Sequence, residues 1–463
     1  MPYTLAEFFC GCGGFSHGFA RTGEFDVVLG NDIKPAALNT FQRNHISPNT
    51  GVPAIISQDI RTVTLDTIQQ LLADKGIAPG ELDCLIGGPP CQGFSQMRRS
   101  EEREGDELVR FKGYDRLDQD PRNDLVLRFL EIAHVLNPKI IIIENVPQML
   151  THTHGGVRGG LAAAVRNLLQ EMGYTVVTGV LNAADYGVPQ LRERAFFLAS
   201  RIGPLELPTA THTDPLNEDL FQQGRQPWVT VGEALADLPA PTPEEALGGG
   251  SLELYTDAAP GPYAQAMRTS AAFPYNHVTR DYQARIISII QQMRPGETWD
   301  AASERQRVAY EALIDEHRRA REGREATKNR LIKKQLINPV FYKRYYWSAY
   351  TRLDPARPAL TITANANFLG SGRFTHPTAD RGITMREAAR LQSFDDNFKL
   401  FTSGDDSGET ANIGVGIDMI GEAVPPTLGE AFARHILPAL EAHTVQPQAA
   451  AQACGPVNQP AYA

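Results

Sequence analysis

Two side chains, Cys91 and Glu144, have the type and position to take part in covalent catalysis. Cys91 follows the run Gly87-Gly88-Pro89-Pro90, in which two prolines restrict the backbone before the thiol. A cysteine held in such a loop is presented for attack, whereas a structural cysteine more often lies inside an apolar strand. Glu144 follows four consecutive isoleucines, which predict a buried strand. A carboxyl group in that place must be protonated or paired, and a protonated one can donate a proton to a substrate.

A glycine-rich turn near the start of the chain predicts a ligand site. It reads Phe9-Cys10-Gly11-Cys12-Gly13-Gly14, and glycines there allow a tight turn and a close approach to a ligand. The third glycine of a dinucleotide fingerprint would stand at position 16, which is Ser16. The turn therefore favours an adenosyl cofactor without a pyrophosphate. Cys10 and Cys12 have no second pair at metal-ligand spacing, so we expect no metal.

Two acids follow further predicted strands. Asp32 lies about twenty residues beyond the glycine turn, where a carboxylate often accepts hydrogen bonds from ribose hydroxyls. Asp59 has the type and position to accept a hydrogen bond from an adenine amino group. For each acid the alternative is a helix N-cap, a common role for aspartate after a strand.

Short apolar runs alternate with helical patterns over the first two hundred residues, which predicts a doubly wound α/β sheet. Ligands of such sheets bind at the carboxyl ends of the strands, where these side chains stand. Predicted strands are 4–10, 26–32, 54–59, 83–88, 139–146, 175–183 and 194–200, and predicted helices are 123–136 and 160–172.

Composition divides the chain into four parts. Residues 1–205 are predicted to form the catalytic and cofactor-binding domain. From 206 to about 380 a Pro- and Gly-rich stretch and a basic, aromatic stretch predict a smaller inserted domain. Residues 381–442 are expected to return to the catalytic domain, and 443–463 to be a disordered tail.

Charge is distributed unevenly. The net charge is −10, yet residues 318–344 hold ten Lys and Arg against two Glu. This segment, with Arg330, Lys333 and Lys334, predicts either a nucleic-acid contact or simply a solvated helix face. Five cysteines without a disulfide framework, and no apolar run long enough to span a membrane, predict a cytoplasmic protein.

Together these motifs resemble the cytosine carbon-5 DNA methyltransferase family. The matching blocks occur in the order of the family and span residues 5 to about 437. They are the glycine turn, the Gly-x-Pro-Pro-Cys-Gln loop, Glu144-Asn145-Val146, Gln190-Leu191-Arg192-Glu193-Arg194, Arg352-Leu353-Asp354 and Arg373-Phe374 through Gln392, and Gly421 through Pro426.

The resemblance implies a reaction and the residues that perform it. The Cys91 thiolate would add to carbon 6 of a flipped-out cytosine and Glu144 would donate to ring nitrogen 3, so that carbon 5 takes a methyl group. Arg194 would bind the cytosine carbonyl oxygen, and Arg192 would orient the loop, Glu144 or a phosphate. The implied fold is the Rossmann-like sheet of S-adenosylmethionine-dependent methyltransferases. The implied cofactor site consists of Phe9, Gly11, Gly13, Gly14, Asp32, Ile33, Asp59, Ile60, Pro90 and Val424.

The implied partner is double-stranded DNA, and a cognate restriction endonuclease would be the functional counterpart in a prokaryotic cell. Residues 96–122 would form the mobile loop that closes on the flipped base. The predicted DNA contacts are Gln92, Ser95, Gln190, Arg330, Lys333 and Lys334. One departure concerns the cofactor site, because Glu422 stands where the family usually has an asparagine.

Three other functions are open at this point. The first is methylation of cytosine in transfer RNA, although about 150 residues between Arg194 and Arg352 favour a large DNA-reading region. The second is a nicotinamide-dependent oxidoreductase on a similar sheet, which gives no reason for Cys91 and Glu144 together. The third is a catalytically silent DNA-binding relative, which the intact Cys91, Glu144 and Arg194 speak against.

Overall fold

The computed structural model describes residues 2–90, 124–154, 157–216, 224–243, 255, 261–269, 273–402 and 412–453. The strands in chain order are β1 (Tyr3–Phe8), β2 (Phe25–Asn31), β3 (Ala54–Ile56), β4 (Cys84–Gly87), β5 (Ile140–Asn145), β6 (Thr153–His154), β7 (Val157–Arg158), β8 (Thr175–Asn182), β9 (Gln190–Leu191), β10 (Glu193–Ser200), β11 (His212–Thr213), β12 (Gln226–Pro227), β13 (Thr242–Pro243), β14 (Val278–Thr279) and β15 (Ala359–Leu360).

The α-helices are of very different lengths, and short 3₁₀ turns such as Pro147–Thr151 occur between them. In chain order the helices are α1 (Gly14–Ala20), α2 (Pro35–Asn44), α3 (Leu65–Ala73), α4 (Asp124–Leu136), α5 (Gly160–Glu171), α6 (Val231–Leu235), α7 (Pro262–Arg268), α8 (Ala284–Ile290), α9 (Trp299–His317), α10 (Arg324–Lys333), α11 (Met385–Leu391), α12 (Ile413–Glu422) and α13 (Pro426–Ala453).

The chain divides into two compact units. The first unit contains residues 1–182, 193–210 and 424–463, and the second contains 183–192 and 211–423. This division differs from the predicted one, because residues 381–423 belong to the second unit. Arg390 of α11 explains the difference: it is fully buried and pairs with Asp237, which lies 153 residues earlier.

A seven-stranded sheet organises the first unit, which confirms the predicted α/β fold. Its strand order is β3-β2-β1-β4-β5-β10-β8. All neighbours are parallel except at β10, which runs antiparallel to both β5 and β8. Only ten residues join β8 to β10, too few for the helical crossover that a parallel connection needs.

Helices cover both faces of this sheet. The adjacent residues Phe196 and Phe197 of β10 point to opposite faces, as successive side chains of a strand do. Phe197 belongs to the core that holds α3, α4 and α5. Phe196 instead packs against Phe15 of α1 and Phe432 of α13. Helix α13, near the end of the chain, therefore belongs to the first unit. Helices pack on both faces of the sheet at β10.

Close backbone contact joins α1 to α13. A Cβ on Gly18 would lie 2.1 Å from the Pro426 carbonyl oxygen, and one on Gly429 would lie 2.5 Å from that of Phe15. Helix α13 continues to Ala453, into the segment predicted to be disordered. Low complexity suggested disorder, but the alanines and glutamines of this segment are good helix formers. Residues 454–463 lie outside the described part of the chain.

The second unit is built mainly from helices and two-residue strand pairs. Its helical part has an aromatic core in which Trp299 stacks on Phe341 with ring centroids 5.2 Å apart. Its other part contains the pair β9–β15, in which Ala359 and Leu360 lie opposite Gln190 and Leu191. No helix among the described residues is long and apolar enough to cross a membrane.

Candidate active site

The glycine turn connects β1 to α1 through left-handed backbone. Phe9, Gly11 and Gly13 have φ values of 57°, 54° and 88°. Gly13 also has no room for a side chain, because a Cβ would lie 2.4 Å from Cε1 of His45. A Cβ on Gly11 would meet nothing within 4 Å. The turn is therefore closely packed at Gly13 and open at Gly11, as a surface that receives a ligand would be.

Asp32 is brought to this turn. One of its carboxylate oxygens accepts a hydrogen bond from the Gly11 N–H at 2.9 Å, and the other accepts one from the Lys34 N–H at 2.9 Å. The N-cap of α2 is Lys34, so the alternative role of Asp32 as a helix cap is not realised. Next to it Ile33 is 67% exposed, a large apolar side chain beside the turn.

Asp59 and Ile60 follow β3. Asp59 accepts hydrogen bonds from the backbone N–H and the guanidinium of Arg61, and these bonds lower the pKa of Asp59. Helix α3 is capped by Thr64, so Asp59 does not cap it either. Ile60 is 2% exposed. The carboxylate of Asp59 thus already has a cationic partner, which a ligand would have to share or displace.

A buried polar cluster that sequence analysis missed lies under the turn. The Glu7 carboxylate accepts a hydrogen bond from the Ser16 N–H at 3.3 Å. Burial raises the pKa of Glu7 to about 8, the Ser16 hydrogen bonds oppose this shift, and the charge of Asp32 adds to it. Nδ1 of His45 donates to the Phe41 carbonyl at 2.7 Å, and its Nε2 lies at hydrogen-bond distance, 3.1 Å, from the Ser16 hydroxyl. The only sequence signal was an acid inside the apolar run of β1.

The loop after β4 is fixed by the strand beside it. The Asn145 side chain donates to the Pro89 carbonyl at 3.0 Å, one residue before the described chain stops at Pro90. A Cβ on Gly88 would lie 3.1 Å from Oε2 of Glu144. The loop and the Glu144 carboxylate are therefore in contact at the carboxyl ends of β4 and β5. Cys91, Gln92 and Ser95 lie outside the described residues, as does the predicted loop 96–122.

Glu144 has a charged partner. Its Oε1 lies 2.8 Å from Nε of Arg194, and the two side chains are only 14% and 16% exposed. Arg194 is brought there by β10, in which Phe196 lies opposite Glu144. Of the two states that the sequence allowed for this acid, protonated or paired, the structure has the pair. One oxygen of Glu144 faces Arg194 and the other faces Gly88.

Arg192 and Gln190 belong to the second unit and are buried there. Arg192 donates to the carbonyls of Ile362 and Gly421, each at 3.1 Å. Gln190 is fully buried: its oxygen accepts from the Ile362 N–H at 2.9 Å and its nitrogen donates to the Leu391 carbonyl at 3.1 Å. The prediction that Gln190 contacts DNA is therefore wrong, because its amide is already used within the unit.

The end of α12 leads to the last predicted cofactor residue. Gly421 has no space for a side chain, since a Cβ would lie 2.3 Å from the Ala364 nitrogen. Glu422 is exposed, and Val424, which begins the return to the first unit, is 8% exposed.

Two of the six arginines of the basic segment, Arg324 and Arg330, are paired with acids. Arg330 makes a two-pronged ion pair with Glu322 at 3.0 and 2.7 Å and also donates to the His317 carbonyl. Arg324 pairs with Glu311 and Asp315. The solvated-helix interpretation thus fits Arg330, whose Nε and Nη2 are already bonded within the unit. Lys333 and Lys334 are exposed.

Among the described residues there is no group of three or more His, Cys, Asp or Glu that could hold a metal ion.

Comparison with known proteins agrees with this geometry. Residues 3–438 match the family described as C-5 cytosine-specific DNA methylase, and the chain belongs to that family. The chain is 30% identical to the type II methyltransferase M.AgeI of Thalassovita gelatinovora, over 93% of this chain and 98% of that protein. It is 29% identical to the type II methyltransferase M.DdeI of Desulfomicrobium norvegicum, over 93% and 88%.

A solved structure shares the fold. It is described as a DNA modification methyltransferase encoded within a prophage of E. coli, with a TM-score of 0.59 and 21% identity. The match covers 95% of this chain and 99% of that one.

The buried Glu7 predicts a pH dependence of stability. Its pKa in the folded chain, about 8, exceeds the ordinary value of 4.5, so folding favours the protonated form. This stabilisation is complete below the ordinary value and is lost as pH rises through about 8. Between about pH 7 and 8.5 the wild type should lose roughly 1 kcal/mol of unfolding free energy that Glu7→Gln does not lose.

Urea unfolding followed by circular dichroism at the two pH values measures this difference. Burial lowers the pKa of His45 to about 3, and the titration of His45 in the unfolded chain is common to the wild type and Glu7→Gln, so it cancels from their difference. Glu24→Gln, at an exposed position, is the control and should keep the wild-type pH dependence. Equal pH dependence in Glu7→Gln and the wild type would contradict the assignment.

Proposed function

We propose that the chain transfers a methyl group from S-adenosylmethionine to carbon 5 of a cytosine flipped out of duplex DNA, through a covalent adduct with Cys91. The observation that carries the proposal is the contact of the Glu144–Arg194 pair with the loop that leads to Cys91. Membership of the C-5 cytosine-specific DNA methylase family supports the reaction.

Carbon 5 of cytosine is a poor nucleophile towards a methyl group, so the enzyme must first activate the ring with a nucleophile of its own. Addition of the Cys91 thiolate to carbon 6 makes carbon 5 enamine-like, so that its electron pair can take the methyl group. Loss of the carbon-5 proton then restores the double bond as the carbon–sulfur bond breaks and the thiolate leaves. The bond between the methyl group and the sulfur of its donor would break as the new carbon–carbon bond forms, with S-adenosylhomocysteine as the leaving group, and the carbon-5 proton would pass to water. No oxidant or reductant is needed.

Glu144 and Arg194 supply the two hydrogen-bond donors that the reacting ring needs. When thiolate adds to the ring, negative charge develops towards nitrogen 3, and a positioned donor there stabilises the transition state. We assign the hydrogen bond to nitrogen 3 to Glu144, which takes up a proton when it leaves the ion pair for the substrate, and the contact with the cytosine carbonyl oxygen to Arg194. The ion pair between them holds both side chains at the strand ends before substrate arrives, so little reorganisation is needed.

The residues around the glycine turn fit an adenosyl cofactor. Gly11 leaves open space, Asp32 is fixed beside it, and the exposed Ile33 offers an apolar surface to a purine ring. We propose that these residues and Asp59, Ile60, Phe9, Gly13, Gly14, Pro90 and Val424 hold S-adenosylmethionine, which when bound supplies the methyl group. Glu7 and Ser16 support the turn from below.

We propose duplex DNA rather than transfer RNA as the substrate, since two similar proteins are type II methyltransferases and the second unit is large. By the same similarity a restriction endonuclease of the same specificity would be the functional counterpart. Lys333 and Lys334 stay predicted DNA contacts, and Arg192 is assigned a positioning role through the 362 and 421 carbonyls.

Cys91→Ser should abolish methylation, because a hydroxyl is far less acidic than a thiol and adds poorly to carbon 6. Transfer of a radiolabelled methyl group to bacterial genomic DNA lacking the modification measures this. Calorimetric binding of S-adenosylmethionine should be unchanged, which separates the loss from misfolding. The matched control is Cys84→Ser, at a thiol buried within β4, which should keep activity if it folds. Turnover of Cys91→Ser near the wild-type rate would refute the nucleophile.

Glu144→Gln should lower the single-turnover rate by about 10²–10³, the usual value of one positioned donor. Glu193→Gln changes an exposed acid next to Arg194 and is the control, with an expected rate near that of the wild type. Rapid-quench measurement of methyl transfer on saturating DNA compares the three proteins. A loss below threefold in Glu144→Gln would remove Glu144 from the reaction.

A further inference from the structure

One stretch of the second unit carries cations almost without acids. Residues 339–379 contain five Lys or Arg and a single acid, Asp354, in a chain whose net charge is −10. Arg352 pairs with Asp380 and Arg357 with Asp214, whereas Lys343 and Arg344 have no ion pair among the described residues. The arginines of α10, by contrast, lie among acids that neutralise them.

The first part of this stretch alternates inward and outward aromatic rings. Phe341 and Tyr345 pack on the buried Trp299, with centroids 5.2 and 4.9 Å from it. Between these two residues in the chain, Lys343 and Arg344 are exposed. Tyr346 is 60% exposed and Trp347 is 40% exposed. Packing of Phe341 and Tyr345 on Trp299 fixes the backbone that carries the exposed rings of Tyr346 and Trp347.

The second part is a turn that presents Phe368. Its start is fixed because Gln190 and Arg192 bind the backbone N–H and carbonyl of Ile362. Within it the Phe368 N–H donates to the Asn365 carbonyl at 2.9 Å, and the Ser371 N–H donates to that of Phe368 at 2.9 Å. Leu369 is buried at 5% exposure, whereas its neighbour Phe368 is 62% exposed.

The two parts adjoin. The Tyr350 N–H donates to the Leu369 carbonyl at 2.7 Å. The guanidinium of Arg373 lies 5.7 Å from the centre of the Trp347 ring, and its Nε donates to the Thr351 hydroxyl at 3.3 Å. We name the exposed side chains of this region the aromatic–basic face; they are Lys343, Arg344, Tyr346, Trp347 and Phe368.

We propose that the aromatic–basic face binds the duplex DNA substrate, with Lys343 and Arg344 on phosphates and Tyr346 and Phe368 against bases. The proposal rests on the proposed function, which makes duplex DNA the substrate. Its chemistry matches both parts of the ligand: cations without competing acids attract phosphates, and rings on a fixed backbone contact bases at little entropic cost. Flipping a cytosine also exposes neighbouring base faces, which an aromatic ring can cover.

The test separates the two kinds of contact by the salt dependence of binding. The affinity of the full-length protein for a mixed-sequence duplex is measured by fluorescence anisotropy over a series of salt concentrations. Lys343→Ala/Arg344→Ala should weaken binding and reduce the slope of log affinity against log salt by about 1–2, since each phosphate contact contributes about 0.9. Tyr346→Ala and Phe368→Ala should each weaken binding by about tenfold without a change in slope.

One control and one competing pair of cations lie in the same unit. Val308→Ala changes a side chain that is 63% exposed on α9 and should leave affinity and slope unchanged. Lys333→Ala/Lys334→Ala removes equal charge from the end of α10. If that variant alone flattens the slope, the phosphate contacts lie on α10 and the proposal is overturned. Affinities of Tyr346→Ala and Phe368→Ala within twofold of the wild type would overturn it as well.

Circular dichroism melting of each variant excludes unfolding as the cause of weaker binding. A methyl-transfer assay of the wild type distinguishes this proposal from the proposed function. Wild-type protein that binds DNA through the face but transfers no methyl group would contradict the function alone, whereas active protein with unaffected face variants would contradict the face alone.

Discussion

The ion pair between Glu144 and Arg194 depends on the arrangement of three neighbouring strands. A carboxylate placed directly after four buried isoleucines costs free energy unless a cation satisfies it, and Arg194 lies 2.8 Å away. Arg194 can reach it because β10 runs antiparallel beside β5 and brings its first residues to the carboxyl end of that strand. Gly88 then leaves room for the second carboxylate oxygen beside the loop that precedes Cys91.

The same edge of the sheet fixes the residues of the proposed cofactor site. The Gly11 N–H binds Asp32, so the turn after β1 and the end of β2 are joined by one hydrogen bond. Below the turn, Glu7, Ser16 and His45 form polar contacts that are shielded from solvent. The return of α13 onto α1 closes the opposite side of this turn through the glycines at 18 and 429. Packing at the turn therefore depends on residues more than four hundred positions apart.

Sequence patterns predicted the features that depend on neighbouring residues in the chain. The isoleucine run forms β5, and the glycine turn and the acids after strands lie at strand ends, as expected. What local patterns could not supply is the partner of each charge. Glu322 neutralises Arg330, and Asp237 binds Arg390. Because of the second pair, residues 381–423 belong to the second unit and not to the predicted catalytic domain. The local sequence could not show that Gln190 is buried, because the residues that cover it belong to α11 and β15, far along the chain. Gln190 was therefore predicted to contact DNA.

The central claim, that Cys91 attacks a cytosine held by Glu144 and Arg194, can be tested by trapping the adduct. In a duplex containing 5-fluorocytosine, methyl transfer leaves fluorine where a proton should depart, so the carbon–sulfur bond cannot break. Incubation with S-adenosylmethionine, proteolysis and mass spectrometry should find the nucleotide on the peptide that contains Cys91. An adduct on another cysteine, or methyl transfer to ordinary duplexes without any trapped species, would contradict the account.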